Sequence, residues 1–589
     1  MEISKRVEKL RYEMKKEGVD AYIISSSDPH QTECAAPRYQ ARKWISGFTG
    51  SAGVVVITEK DAGIWVDSRY YIQAEAECKE NGFTIFRMGM KDVPELYEWI
   101  TDNLESGDTV GLDGMVFSLK RCRTLGSKFT PKGIKLRTDI DLIDRIWAGR
   151  PGIPEDKAED HDVKYAGRSR EEKIADIRDA VLGLNADAHL ICRLDDIAWA
   201  LNVRGSDMEH QPLVTSFLLI SQSECVWFIN SEKLSANLAA DMKIAGVRTL
   251  PYDSICEYLS NFDKTQRLLV NPADISKKLF DAIPKICKVV GGESPVPLMK
   301  SCKNLTEVEG AWSACARDGA AMVKFLIWLE ENVQSGSVTE IRCAEKLAEF
   351  RSGMELFKDL SFNSIVAYQE HGAVCHYSAT EESNSVIKPE GLLLIDSGGH
   401  YLDGTTDITR TIPLGKLSEQ QQIDYTLVLK AHINLALAIF PCGTRGADLE
   451  VLAKIPLWQA GRDYGHGAGH GVGSYLMVHE GPAGFGSSQT TLQEGMVLTN
   501  EPGLYREGQY GIRTENMVTV TECDETEFGT FYELETITMC PIPLSPVLTD
   551  LLSDEEIEWL EFYHEDVRIS LEPLLNEKEM AWLKKATTF

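Results

Sequence analysis

The chain has 589 residues, 43% hydrophobic and 26% charged, with 46 Gly and 22 Pro; this globular composition excludes wholesale disorder, and the length exceeds what one core can serve. Lys and Arg number 61 against 90 Asp and Glu, so the net charge of −29 would repel a polyanion such as nucleic acid. No apolar run reaches the length of a membrane span, and the opening MEISKRVEKL alternates charge with apolar residues where a signal peptide would have an apolar core, so no membrane association is expected.

Ile3, Val7, Leu10 and Met14 recur at helical spacing and predict a short amphipathic helix ended by Gly18. Apolar runs at 20–24, 53–57 and 62–66 read as strands, so residues 1–150 are expected to form an α/β domain. Turn formers at 149–154 and a charged stretch at 155–162 mark a boundary. The second domain, 151–303, starts a helix at the capping-box pair Ser169 and Glu172, continued by Ile174, Ile177 and Val181. Strand-like runs at 185–191, 217–220 and 226–229 then repeat the order of the first domain, and Asp187-Ala188 matches Asp20-Ala21; the second domain reads as a diverged copy. After the break at 294–297, Thr306 and Glu309 predict the cap of a helix running to about 333, and Ser337 with Glu340 a second cap. The remainder, 304–589, carries the convincing chemical groups. The 14 cysteines contain no C-x-x-C pair, as expected for free thiols in a reducing, cytoplasmic compartment.

The run Leu392-Leu393-Leu394-Ile395 ends in Asp396 beside Ser397-Gly398, a buried strand delivering an acid at its tip. Eleven residues later, Thr405 to Thr411 alternates in β fashion and places Asp407 on one face with Thr405 and Thr409. These two alone also fit an ordinary hairpin. Residues 465–473 set His466 and His470 among five glycines, too many for a stable helix, and without a G-K-[ST] ending for phosphate. Glu501 stops another apolar run, and Arg513 and Glu515 are expected on one strand face fourteen residues on. Buried charges must be paired or metal-bound. Asp396, Asp407, His470, Glu501 and Glu515 form an oxygen-rich set with one imidazole, suited to Mn²⁺, Fe²⁺ or Co²⁺, and four carboxylates match the charge of two such ions. A bridging hydroxide would then be available as a nucleophile at neutral pH.

In order and spacing, these five residues and the segments Ile395–Gly398, Asp403–Asp407, His466–Gly473, Glu501–Gly503 and Ile512–Asn516 resemble the pita-bread metallopeptidases, most closely their long, three-domain cytosolic aminopeptidase P branch. The resemblance extends to Ile45–Gly53 and Asp67–Tyr71 in the first domain, Asp195–Gly205 in the second, and Trp559-Leu560-x-x-Tyr563-His564 near the end.

The resemblance implies two related creatinase-like α/β domains before a pita-bread catalytic domain. It further implies removal of an amino-terminal residue from peptides with proline second, with two divalent ions, usually Mn²⁺, Co²⁺ or Zn²⁺ being alternatives. Asp396 would contact one ion, His470 the other, and Asp407, Glu501 and Glu515 the pair. His376, His466 and His479 fall at functional positions; His376 and His479 would bind the developing oxyanion and the peptide beyond the cut, and His466 either acts or merely orients its loop. Glu501 would also carry a proton to the leaving nitrogen, and Arg513 would steady Glu515. A homodimer is implied as well. A prolidase-like dipeptidase and a non-catalytic peptide-binding protein on the same fold remain the alternatives.

Overall fold

The structure is a computed structural model in which residues 2–589 are described. They fall into two compact units, residues up to 160 with 168–296, and residues 161–167 with 297–589. Among the described residues no helix is long and apolar enough to cross a membrane.

In the first unit the expected opening helix is α1 (Ile3–Glu17), closed by Gly18 in the left-handed conformation at φ 65°. Its Val7, Leu10 and Met14 pack on a six-stranded sheet of β1 (Ala21–Ser25), β2 (Val54–Thr58), β3 (Ala62–Val66), β4 (Thr84–Arg87), β5 (Thr109–Gly111) and β6 (Lys135–Arg137). The order is β4-β3-β2-β1-β5-β6. Val55, Ile57 and Ile64 join α1 in one core, whereas Val54, Val56 and Trp65 face the other side with Ile100, Leu125 and Phe129. Burial on both faces is why these strands read as unbroken apolar runs. Each such side chain contributes about 1.5–3 kcal/mol relative to exposure.

The copy begins with α2 (Arg170–Gly183), which carries the Ser169–Glu172 capping box as expected. Its sheet is built from β7 (Ala188–Ile191), β8 (Phe217–Ser221), β9 (Cys225–Phe228), β10 (Val247–Leu250), β11 (Arg267–Val270) and β12 (Lys288–Gly291). The order β10-β9-β8-β7-β11-β12 and every strand direction reproduce the first sheet. The matched aspartates play the same part: Asp20 Oδ2 accepts from the Thr109 amide, and Asp187 Oδ2 from the Arg267 amide, each at 2.8 Å, fixing the first residue of the parallel neighbour strand.

The second unit is organised by α3 (Leu305–Asn332) and α4 (Glu340–Ser352). A three-stranded antiparallel sheet of β13 (Ile365–Tyr368), β14 (Leu392–Ser397) and β15 (Ile408–Pro413) follows, with β14 central. After α5 (Glu419–Ala436) come β16 (Ile439–Pro441), α6 (Gly446–Gln459), β17 (Gly469–Gly471), β18 (Glu480–Phe485) and β19 (Val497–Asn500). The hairpin β20 (Gly503–Arg506) and β21 (Tyr510–Arg513) precedes β22 (Asn516–Thr526) and β23 (Gly529–Thr536). The larger sheet runs β16-β23-β22-β19-β17-β18. Helix α7 (Asp554–Leu571) packs Leu560, Tyr563 and Val567 against Ala320 and Val323 of α3.

Two expected caps are displaced. Helix α3 is capped by Asn304 with Glu307 rather than Thr306 with Glu309; the Asn304 amide also reaches the Ala166 carbonyl at 2.9 Å, a tertiary contact that settles the choice. Helix α4 is capped by Thr339, not Ser337, and Glu340 turns inward instead of closing a box.

Candidate metal centre

Asp396 is the next-to-last residue of β14, paired across the sheet with Thr409 of β15 and Ile365 of β13. Its Oδ2 accepts from Arg513 Nη2 at 2.5 Å, while Oδ1 is buried with no hydrogen-bond partner. Asp407 lies outside regular strand, in the break between the short strand Gly404–Thr405 and β15, and its amide points at Met517 Sδ. His470 is the middle residue of β17. Its Nδ1 is 2.9 Å from the Gly471 carbonyl, which can only accept, so Nδ1 carries a proton and Nε2 is the ring nitrogen turned toward the acids. That Nε2 is 3.4 Å from Asp407 Oδ2 and 3.6 Å from Glu501 Oε1.

Glu501 follows the last residue of β19, where the Thr499 hydroxyl donates to it at 3.3 Å. Glu515 sits between β21 and β22 and accepts from the Thr409 hydroxyl at 2.6 Å. One ligand atom each from Asp407, His470 and Glu515 lie within 4.8 Å of one another. Adjacent strands thus bring the five expected ligands to one place.

Electrostatics say what is missing. Burial is the largest influence on Asp396, and even with Arg513 beside it the carboxyl is pushed up to about 6, Asp407 and Glu501 adding to the rise. Burial also raises Glu501 and drives Glu515 well above the carboxylate range, with Asp407 and Asp396 pressing on the latter. Three buried acids and the half-buried Glu501 share one guanidinium and one imidazole. Added positive charge would favour the ionised forms that burial penalises at Asp396, Glu501 and Glu515, and the orphaned Asp396 oxygen is an acceptor open to it. Oxygen donors with a single Nε2 fit hard to borderline divalent ions.

Arg513 does more than accompany Glu515. It hydrogen-bonds Asp396 directly, its charge favours the ionised Glu515, and it shares with Glu515 the Thr409 hydroxyl, which it contacts from Nε at 3.1 Å. Its Nη1 donates to Tyr505 Oη at 2.8 Å, and that oxygen is 2.7 Å from His466 Nε2. His466 Nδ1 is 2.8 Å from the Gly467 carbonyl, which again fixes the tautomer: Arg513 donates to Tyr505, Tyr505 to His466, and His466 to its own loop. Burial, the largest influence, and Arg513 hold the His466 pKa down to about 3, so the ring is neutral and Nε2 accepts. Tyr505 was missed in the sequence. The available signal was a tyrosine four residues past Glu501, in the hairpin that ends on Arg513.

His479 sets its ring edge against His470, centroids 4.4 Å apart at 79°, and its neighbour Glu480 is buried in an ion pair with Lys303. His376 is close enough to His466 for its charge to lower that residue further. The His376 loop is tied down by Glu340, another residue the sequence reading misassigned. Glu340 Oε1 accepts from the Tyr368 amide and His371 Nδ1, both at 2.8 Å, and Oε2 from Tyr377 Oη at 3.0 Å and the Ser385 amide at 2.8 Å. The same loop is pressed on β21 at Gly372 and Gly511, where a Cβ on Gly511 would stand 1.7 Å from the Gly372 carbonyl oxygen.

Residues 309–522 match the model of metallopeptidase family M24, and 530–589 that of the C-terminal region of peptidase M24. The model of the creatinase/prolidase N-terminal domain matches twice, over 6–145 and 149–307. Aminopeptidase P2 of Arabidopsis thaliana is 37% identical over 597 residues, covering 95% of this chain and 84% of that protein. The chain belongs to metallopeptidase family M24. Xaa-Pro aminopeptidase 1 of Dictyostelium discoideum is 36% identical, covering 99% of this M24 chain and 96% of that one. The solved X-prolyl aminopeptidase of Caenorhabditis elegans, described as a cytosolic enzyme with a di-nuclear active site, superposes with a TM-score of 0.96 over 100% of both chains at 33% identity. The M24 fold here is thus the expected one: two creatinase-type α/β domains, then the peptidase domain.

Proposed function

We propose that the chain is a metal-dependent aminopeptidase that hydrolyses the bond between an amino-terminal residue and a penultimate proline. The observation that carries this is the convergence of Asp396, Asp407, His470, Glu501 and Glu515, with a buried Asp396 oxygen left without a partner, in a chain alike over its whole length to Xaa-Pro aminopeptidases. These five residues would hold two divalent ions, Asp396 on one, His470 on the other and the three remaining acids shared. When bound, such ions supply Lewis acidity and a water made nucleophilic near neutral pH. The donor set favours Mn²⁺, with Co²⁺ or Zn²⁺ as substitutes.

The chain's own groups do the rest. The acid-rich site attracts the cationic amino terminus of a peptide. Glu501 takes the proton released during attack and hands it toward the proline nitrogen, which must be protonated to leave. His376 and His479, flanking the ligands, donate to the oxyanion and to the peptide beyond the cut. The Arg513–Tyr505–His466 relay holds Asp396 in orientation and keeps His466 neutral. Proline in second place has no N–H and a fixed φ, so backbone-reading proteases bind it poorly and a dedicated site is needed.

The worm relative's description supports a cytosolic placement. Val451, Ile455 and Trp458 are exposed along one stripe of α6, which supports a homodimer through the catalytic domain. The test is a peptide panel after chelation and reloading with Mn²⁺, Co²⁺ or Zn²⁺. Cleavage of an Xaa-Pro-Xaa tripeptide in at least one metal is expected; activity confined to Xaa-Pro dipeptides means a dipeptidase, and silence in all three overturns the reading.

A further inference from the structure

We propose that Asp424 is a positioning residue: from helix α5 it ties together the separate segments that carry His466, Tyr505 and Arg513, a role that rests on the peptidase reading of the site. Asp424 is fully buried. Its carboxylate accepts from Arg462 Nε at 2.7 Å, from Arg506 Nε at 2.6 Å and Nη2 at 3.2 Å, and from Tyr510 Oη at 2.7 Å.

Gln420, one turn earlier on α5, also donates to Oδ1 at 2.9 Å; each of the other partners lies within four residues of a member of the relay. Arg462 opens the loop that reaches His466 four residues later, Arg506 directly follows Tyr505 on β20, and Tyr510 begins β21, which ends on Arg513. Without an anchor these segments have little in common. The stretch before His470 has glycine at 461, 465, 467 and 469, so its own backbone restrains it weakly. The hairpin β20–β21 is only two strands, marginal by itself. A single buried carboxylate gripping both, with a two-pronged guanidinium contact on one side, sets the separation of His466 from Tyr505 that their 2.7 Å hydrogen bond requires.

A group that merely stabilises the fold would bear on all activity alike; a group that sets the relay would lose its effect once the relay is cut. Arg462→Met and Arg506→Met are made in the wild-type chain and in a Tyr505→Phe background, leaving Asp424 in place so that no residue is deleted from the core. With Mn²⁺-loaded full-length protein and a tripeptide bearing proline second, each is expected to lower kcat about 10-fold or more with KM changed less than about 3-fold, as for misplacement of a catalytic group by a fraction of an ångström. In the Tyr505→Phe background the same changes should cost less than about 2-fold more. Losses of equal size in both backgrounds, or none in the first, overturn the proposal. Amide hydrogen exchange of the metal-free full chain gives a readout independent of turnover. Either substitution should expose both 462–470 and 503–513, and exposure confined to the substituted segment overturns it. A wild-type chain that cleaves nothing in any metal overturns the peptidase reading instead, and exchange alone then decides the anchor.

Discussion

Replacing Glu340 by Gln changes one atom and should release the loop that carries His376. As a carboxylate, Glu340 has acceptor capacity for all four donors that reach it: two amides, a hydroxyl and an imidazole nitrogen. An amide side chain keeps one oxygen and presents two N–H groups on the other side. The least damaging orientation leaves the oxygen with Tyr368 and His371 and turns the NH₂ toward Tyr377 and Ser385. The Tyr377 hydroxyl can reverse and accept; the Ser385 amide cannot. One half-buried amide is therefore orphaned, at about 1–3 kcal/mol, and the remaining bonds lose their charge assistance, about 1 kcal/mol more. The sum, roughly 2–4 kcal/mol, falls on the segment 369–386 rather than on the sheets.

His371 makes the effect depend on pH. Its pKa is raised above 6.5, first by the hydrogen bond to Glu340, against burial, with the charges of Glu340 and Glu370 helping. Such a group contributes its stabilisation fully below 6.5, and the contribution fades as pH rises through the raised folded value. Wild-type loop protection should accordingly weaken as pH rises above 6.5 through the raised folded value, and Glu340→Gln should be insensitive to that rise. The assay is amide exchange of 369–386 at several pH values, paired with kcat/KM on an Xaa-Pro-Xaa peptide, where a loss of about 10-fold or more is expected. Wild-type kcat/KM and unaltered exchange in the Gln variant would refute the reasoning.

Tyr505→Phe removes both relay bonds without leaving a cavity and should reduce kcat about 10-fold with little change in melting temperature, measured by steady-state kinetics and calorimetry. Asp407→Ala should fold yet lose metal and turnover, read by elemental analysis after dialysis; retention of two ions with full activity would sink the ligand assignment. For the wild-type chain, metal at about 100 times its Kd should add about 2.7 kcal/mol to stability, seen as a rise in melting temperature that chelation removes. His564 is buried, accepts from the Ile542 amide, and is held down to about 3 chiefly by burial, with Arg410 assisting. Above 6.5 neither state is protonated there; below it only the unfolded chain takes the proton, so stability falls by about 1.4 kcal/mol per pH unit until the folded value is reached. His564→Gln should make urea midpoints between about pH 6 and 4 correspondingly less steep, and an unchanged slope would count against it.

What could be read from the residues, and what could not, follows from the range of the interactions. The expected ligands could be singled out because each of Asp396 and Glu501 interrupts an apolar run, and an acid at the mouth of a buried strand is costly unless it has a use. The duplication was legible at Asp20 and Asp187 because each makes the same local hydrogen bond to its parallel neighbour. Asp407 was placed correctly in space but wrongly in the chain: alternation through Thr405 and Thr409 suggested continuous strand, whereas the strand breaks at Thr406 and Asp407. Glu340 failed for the opposite reason. S-x-x-E is a genuine local cap signal, and nothing nearby in the chain announces that Tyr377 and Ser385, some forty positions away, claim that carboxylate.

The groups the sequence concealed have something in common. Tyr505, Glu340 and Asp424 are absent from the expected ligand set and from every motif that pointed to it, yet each joins backbone segments whose spacing those residues depend on. A metal site needs ligand atoms placed to within tenths of an ångström, and the five candidate residues come from separate segments on or beside short strands, two of these strands only three or four residues long. Short strands cannot impose that accuracy by ladder hydrogen bonds alone. Buried carboxylates with several partners can, because every donor they hold is costly to release. The same acids that give the chain part of its charge excess therefore fall into two kinds. Those at the centre demand cations from outside the chain, and those at Asp424 and Glu340 are met from within it by arginines, hydroxyls and amides. Exchanging the two kinds predicts opposite failures. Loss of a central acid should leave loop exchange unaltered and metal absent, while loss of a peripheral partner should leave metal bound and the loops released, and a variant at Arg506 that shed its metal while 462–470 stayed protected would break this division.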